Sequence, residues 1–180
     1  MTASVSRGAR LLEIARVAIE AEPGSGTAWD TEDWLRAPAA SFVTLRLDRE
    51  LRGCIGSIDA RRALGEDVAQ NARAAAYRDP RFAPVSPAER GALAIEVSVL
   101  SLRVPLPAAG EAEAVALLRP GLDGIYLECG PATATFLPQV WDGIPDPLEF
   151  LAALRHKAGL PARLWPADLR LWRYSVEKYV

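Results

Sequence analysis

Apolar positions along this 180-residue chain recur with two periods, three-to-four and two, and the switches between them mark its elements. Leu11, Ile14, Ala15, Ala18 and Ile19 have helical spacing, which predicts a first helix over about Arg7 to Glu22, stopped by Pro23-Gly24-Ser25-Gly26. Ser41 to Leu47 alternates instead, with Val43, Leu45 and Leu47 on one face. Asp48-Arg49-Glu50 turns the chain, and Leu51 to Ile58 returns as the partner strand. Leu64, Val68, Ala72, Ala75 and Ala76 restore the helical period over about Ala63 to Tyr77. That helix ends before Asp79-Pro80, because the residue preceding proline resists helical geometry. Ser86-Pro87-Ala88-Glu89 carries the chemistry of a capped helix start, but Gly91 leaves room only for a short turn.

Leu93 to Leu102 is the clearest strand, with Leu93, Ile95, Val97 and Val99 opposed to Ala94, Glu96 and Ser98. A third helix is predicted over Glu111 to Arg119, and a second hairpin pairs Gly124–Cys129 with Ala132–Leu137 around Gly130-Pro131. Asp146 caps a fourth helix that runs to Ala158, with Gly159 as its stop. Arg170 to Val180 closes in alternation, Trp172, Tyr174 and Val176 against Arg173, Ser175 and Glu177. No repeat and no regular strand–helix alternation appears, so the fold class expected is α+β, a mostly antiparallel sheet flanked by helices. No Gly/Ser linker divides the chain, which reads as one domain with a larger and a smaller lobe. Trp29 and Trp34 read as packing anchors.

Composition narrows the function classes. Half the residues are apolar and 24% are charged, the balance of a folded globular chain. A formal net charge of −2 supplies no global positive field for coating a nucleic acid. No apolar run approaches the roughly 18–20 residues of a membrane span, and Met1 to Arg16 lacks a secretory-signal pattern, so a cytoplasmic location is expected. Cys54 and Cys129 stand far apart, which fits a reducing compartment and no disulfide framework. His156 is the one histidine and reads as a cation near a helix C-terminus, so no zinc-type ligand set is present and no cofactor is indicated. Phosphate-binding loops, zinc-protease helices and serine-hydrolase elbows are also missing.

The unusual segment is Leu51-Arg52-Gly53-Cys54-Ile55-Gly56. Regular strand geometry puts Arg52 and Cys54 on one side, about 7 Å apart, with Leu51 and Ile55 toward the core. Gly53 and Gly56 leave room for another group beside the thiol, and a nearby guanidinium favours the reactive thiolate. The plainer alternative is a small buried hydrophobe. Glu96 and Ser98 occupy the polar side of the central strand. If that strand neighbours the first hairpin, Glu96 can pair with Arg52 as a structural ion pair or serve acid/base chemistry. Arg81, in Asp79-Pro80-Arg81-Phe82, is a candidate anion gripper, and Asn71 can orient a loop or a ligand. Gln139, polar among apolar neighbours, reads as a buried amide with partners.

Leu51-Arg52-Gly53-Cys54-Ile55-Gly56 is similar to the hallmark hexapeptide of the AMMECR domain family. The resemblance continues through Phe42-Val43-Thr44-Leu45, Arg78-Asp79-Pro80-Arg81-Phe82, Ile95-Glu96-Val97-Ser98-Val99-Leu100, Gly121-Leu122-Asp123-Gly124, Phe136-Leu137-Pro138-Gln139-Val140-Trp141 and Lys157-Ala158-Gly159-Leu160, covering nearly the whole chain. The solo-domain form resembles protein A of the AmmeMemoRadiSam system. That likeness implies an α+β fold of two lobes with the hexapeptide at a cleft, and a Memo-type protein and a radical-SAM protein as partners. It implies no particular reaction. Two functions are expected to compete. One is a thiol-dependent enzyme or modification-accepting protein, with Cys54 and Glu96 as reacting groups and a small anionic substrate held by Arg52, Gly53, Gly56, Ser98, Arg81, Asn71 and Gln139. The other is a non-catalytic ligand- or partner-binding module. Nucleic acid and membrane are not among the expected partners.

Overall fold

The computed structural model describes residues 6–21, 32–161 and 165–180. The predicted stop at Pro23–Gly26 and Trp29 fall outside them. The fold is α+β, built on two antiparallel sheets flanked by helices. The chain divides into two units, Met1–Leu100 with Glu177–Val180, and Ser101–Val176.

The first unit holds α1 (Arg7–Glu20), the short α2 (Asp33–Arg36), β1 (Pro38–Leu47), β2 (Glu50–Gly56), β3 (Arg62–Ala63), α3 (Leu64–Tyr77), β4 (Ala94–Leu100) and β9 (Val176–Tyr179). The strand order is β2-β1-β4-β9, with β3 paired to the start of β1. Leu47 pairs with Glu50, so β1 and β2 join through Asp48 and Arg49 alone. Both have positive φ, 51° and 71°, the type I′ geometry whose twist suits a hairpin. One sheet face is buried under α1 and α3. Leu11, Ile14, Ala18, Val68 and Ala72 from the helices meet Val43, Leu45 and Val97 from the strands, the two predicted periodicities interlocked.

Two departures from regular alternation shape this unit. The β1–β2 register shifts between Leu45, opposite Gly53, and Arg46, opposite Leu51, so Arg52 is the extra residue of a bulge. A bulge reverses the side-chain phase beyond it, and Leu51 therefore falls opposite Arg46 instead of on the core face expected for it. The second departure is a buried polar knot. Asp67, 1% exposed, accepts hydrogen bonds from the Ser41 amide and hydroxyl, the Ser57 hydroxyl, the Asn71 amide and the Arg62 guanidinium. Each carboxylate lone pair is thus used, which is what a buried charge requires.

The second unit holds β5 (Val104–Leu106), α4 (Glu111–Leu117), β6 (Gly124–Cys129), β7 (Ala132–Phe136), α5 (Pro147–Lys157) and β8 (Arg170–Tyr174), with strand order β5-β8-β6-β7. Its core gathers Leu106, Ile125, Leu127, Phe150, Leu151, Leu154 and Leu171. Trp141 stacks on Phe150 with centroids 3.7 Å apart and donates its indole N–H to the Asp123 carbonyl. Asp146 caps α5 by accepting from the Leu148 and Glu149 amides, and Gly159 ends it at φ +78°. The alternation predicted from Arg170 to Val180 is not one strand. It divides at Ser175 into β8 and β9, which belong to different sheets, and the Ser175 amide donates to Ser101 Oγ. No helix among the described residues is long and apolar enough to cross a membrane.

Candidate functional site

The sheet face of the first unit opposite α1 and α3 collects the candidate chemistry. Thr44 pairs with Cys54 on one side and with Glu96 on the other, so Cys54, Thr44 and Glu96 form one row across β2, β1 and β4. With neighbouring strands about 4.8 Å apart, the row spans about 10 Å between the Cys54 and Glu96 backbones. The half-buried Cys54 sulfur accepts a hydrogen bond from Thr44 Oγ1 at 3.4 Å. Glu96 pairs with Lys178 of β9, Nζ to Oε1 3.1 Å. The flanking rows are Gly56–Phe42–Ser98 and Leu51–Arg46–Ala94.

The two glycines answer to two different neighbours. A Cβ on Gly53 would stand 2.1 Å from the Ala75 carbonyl oxygen, so α3 reaches the sheet only because that Cβ is missing. A Cβ on Gly56 would stand 2.2 Å from the Phe42 ring, which lies across that position. Neither glycine is opened toward the sulfur.

The backbone of Cys54 sits on the edge strand, whose outer amides and carbonyls lack a strand partner. Asp79 and Arg81 supply one. The Cys54 amide donates to Asp79 Oδ2 at 2.9 Å, and Arg81 donates to the Cys54 carbonyl at 3.3 Å. The two side chains bond each other at 2.6 and 2.9 Å, so together they imitate one rung of a β-ladder. The Arg81 guanidinium, followed by the amides of Cys54 and Arg81, holds the Asp79 carboxyl well below the usual range against the opposing cost of burial.

Arg52 points along the chain edge to another segment. Its guanidinium donates to Glu89 at 2.8 and 3.3 Å and to the carbonyls of Ala83 and Pro84 at 2.9 and 3.4 Å. Arg52, with the Ser86 amide and hydroxyl, lowers the Glu89 carboxyl to about 2. The same glutamate accepts the Ser86 amide at 2.7 Å, the reaching-back bond predicted for Ser86-Pro87-Ala88-Glu89. The bulge explains why Arg52 leaves the alternating pattern that would pair it with Cys54. The conditional pairing of Arg52 with Glu96 is not formed either, because β1 lies between their strands.

Asn71 is spent on the Asp67 knot, donating to the Ser41 carbonyl and to Asp67, each at 2.9 Å. Ser98 is buried beside Phe42. Gln139 is exposed on the 3-10 turn Pro138–Asp142 of the second unit, which corrects the buried amide expected there. The turn points its tryptophan inward, and the polar residue two places earlier faces out. Cys129 donates its thiol to Asp168 at 3.2 Å, and burial followed by that carboxylate pushes the thiol up. Sequence reasoning passed over Thr44, Asp79 as an edge cap, Glu89 and Lys178. Their partners lie 10 to 82 positions away, and only the Ser86–Glu89 spacing gave a local signal.

A family model described as AMMECR1 matches residues 12–179. A protein of Methanothermobacter thermautotrophicus is 37% identical over 97% of this chain and 94% of its own. One from Thermotoga maritima is 35% identical over 82% of this chain and 81% of its own. Among solved structures, the crystal structure of the uncharacterised protein PH0010 from Pyrococcus horikoshii superposes with a TM-score of 0.77 at 33% identity, covering 93% of this chain and 88% of that one.

Proposed function

Because the chain belongs to the AMMECR1 family, we propose that the row of Cys54, Thr44 and Glu96 is chemical: a thiol-dependent enzyme, or a protein modified on its thiol, that acts on a small anionic substrate through Cys54. The observation that carries this reading is the Cys54–Thr44–Glu96 row with the threonine hydroxyl donating to sulfur. A hydrogen bond donated to sulfur favours its anionic form, and a carboxylate in the same row provides a proton carrier. The bond from Cys54 Sγ to the substrate forms as the bond to the leaving group breaks, and the thiol proton follows the leaving group by way of Glu96. Arg52, Asp79 and Arg81 hold the strand that presents the sulfur. The working partners are a Memo-type protein and a radical-SAM protein, with the chain in the cytoplasm.

Iodoacetamide tests the thiol. Cys54 in the folded protein alkylates while the hydrogen-bonded, buried Cys129 serves as internal control, and Thr44→Val slows Cys54 several-fold. Alkylation of both cysteines only on unfolding, or a rate indifferent to Thr44→Val, overturns the reading. The second reading, a non-catalytic binding module, is favoured by one fact: the side chains of Arg52, Asp79 and Asn71 are all spent on backbone and on each other's neighbours. Under it, Cys54→Ser leaves function intact. Intact mass of the protein purified with its genomic neighbours decides between them through an adduct on Cys54.

A further inference from the structure

A groove of about 580 Å³ opens in the first unit between α1 and the start of β4, and Glu96 of the row forms part of its wall. That volume is in the range of small-molecule sites. Its apolar floor comes from Leu12 of α1 and from Ala94 and Ile95 of β4. Four charged side chains line it, and they are not balanced. Glu13 is bound to Arg10 at 2.8 Å and Glu96 to Lys178 at 3.1 Å. Among the described residues Arg16 donates to the carbonyls of Leu93 and Arg90, and Arg46 to the carbonyl of Arg49. Among the described residues neither arginine has a carboxylate partner, so two guanidinium groups are left to hold an anion over an apolar floor that Glu13, Glu96 and Val180 also border.

We infer that this groove binds an amphiphilic carboxylate, its aliphatic body along Leu12, Ala94 and Ile95 and its head group on the exposed Arg46, with Arg16 adding positive potential. A guanidinium presents two parallel N–H groups that match a carboxylate. Arg46 lies two residues from Thr44 on β1, on the same sheet face, so its backbone stands about 7 Å from the row of Cys54. The inference therefore rests on the thiol reading and names the class of its substrate.

Decanoate is the probe, titrated calorimetrically into the full chain. Saturable binding at one site is expected, weakened about tenfold or more by Arg46→Glu, as for loss of a charge-assisted hydrogen bond, and abolished by Ala94→Trp, which fills the groove. Both positions are exposed, and unchanged thermal melting of both variants shows that they fold. Bound decanoate also slows alkylation of Cys54. Absence of saturable binding, binding indifferent to both variants, or tighter binding of decyl phosphate than of decanoate overturns the inference. Decanoate binding that obeys the variants while Cys54 alkylation ignores Thr44→Val upholds the groove and sinks only the thiol chemistry.

Discussion

Gly53 and Gly56 sit on either side of Cys54 and Ile55, and what each faces sets the cost of replacing it. Gly53 faces the backbone of α3, which cannot move without lifting the helix, whereas Gly56 faces the Phe42 ring, which can rotate. Gly53→Ala is expected to cost about 2–3 kcal/mol, in the range of severe overpacking, and Gly56→Ala less, measured by urea unfolding. Asp79 gives a pH signature. Its folded carboxyl lies below its unfolded value, so its contribution is fully present above about pH 4 and is lost as pH falls toward the folded value. Asp79→Asn should therefore be less stable than the native chain at pH 7, with the gap closing as both are measured down toward about pH 3. A gap that stays constant across that range would show that the charge on Asp79 is not what caps the edge. The alternating pattern showed where Cys54 lies on its strand. It could not show that Asp79, 25 positions away, completes the same rung.

At the scale of elements, β2 is an edge strand dressed by one loop. Asp79 and Arg81 close the rung at Cys54, and Arg52 ties the same loop through Ala83, Pro84 and Glu89. Removing the guanidinium frees the loop without opening the core, so Arg52→Ala should speed amide hydrogen exchange at Cys54 and proteolytic cleavage within residues 83–89, leaving α1 exchange unchanged. The helices α1, α3 and α5 were legible because each has a three-to-four stripe and, for α5, an Asp146 cap. The hairpin of β1 and β2 was legible as well, but its bulge was not. One extra residue leaves no mark on a polar/apolar pattern already interrupted by glycines, yet it reverses Leu51 and releases Arg52.

At the scale of the molecule, two apolar clusters with no residue in common support two sheets. Leu45 and Leu127 are fully buried, one in each, and Leu→Ala at either should cost about 2–5 kcal/mol by urea unfolding. The α+β class and the family were both legible in advance, since motifs recur in order over nearly the whole chain and the family match runs from residue 12 to 179. The closing segment was misread as one strand because Arg170 to Val180 alternates without a break. Strand pairing, not periodicity, sends β8 to one sheet and β9 to the other. Through β9 the first sheet gains Lys178, the partner of Glu96.

The order of apolar and polar residues by itself determined the elements that bury a face, with their caps and stops, because these depend on neighbours within a few positions; the family was carried by the residue identities of motifs such as Leu51–Gly56. Tertiary structure alone decided what each guanidinium and carboxylate holds: Arg52 with Glu89, Arg81 with Asp79, Lys178 with Glu96, and Arg16 and Arg46 with backbone carbonyls. A charged side chain accepts any opposite charge that folding brings within about 3 Å, and nothing in its local sequence says which one that will be.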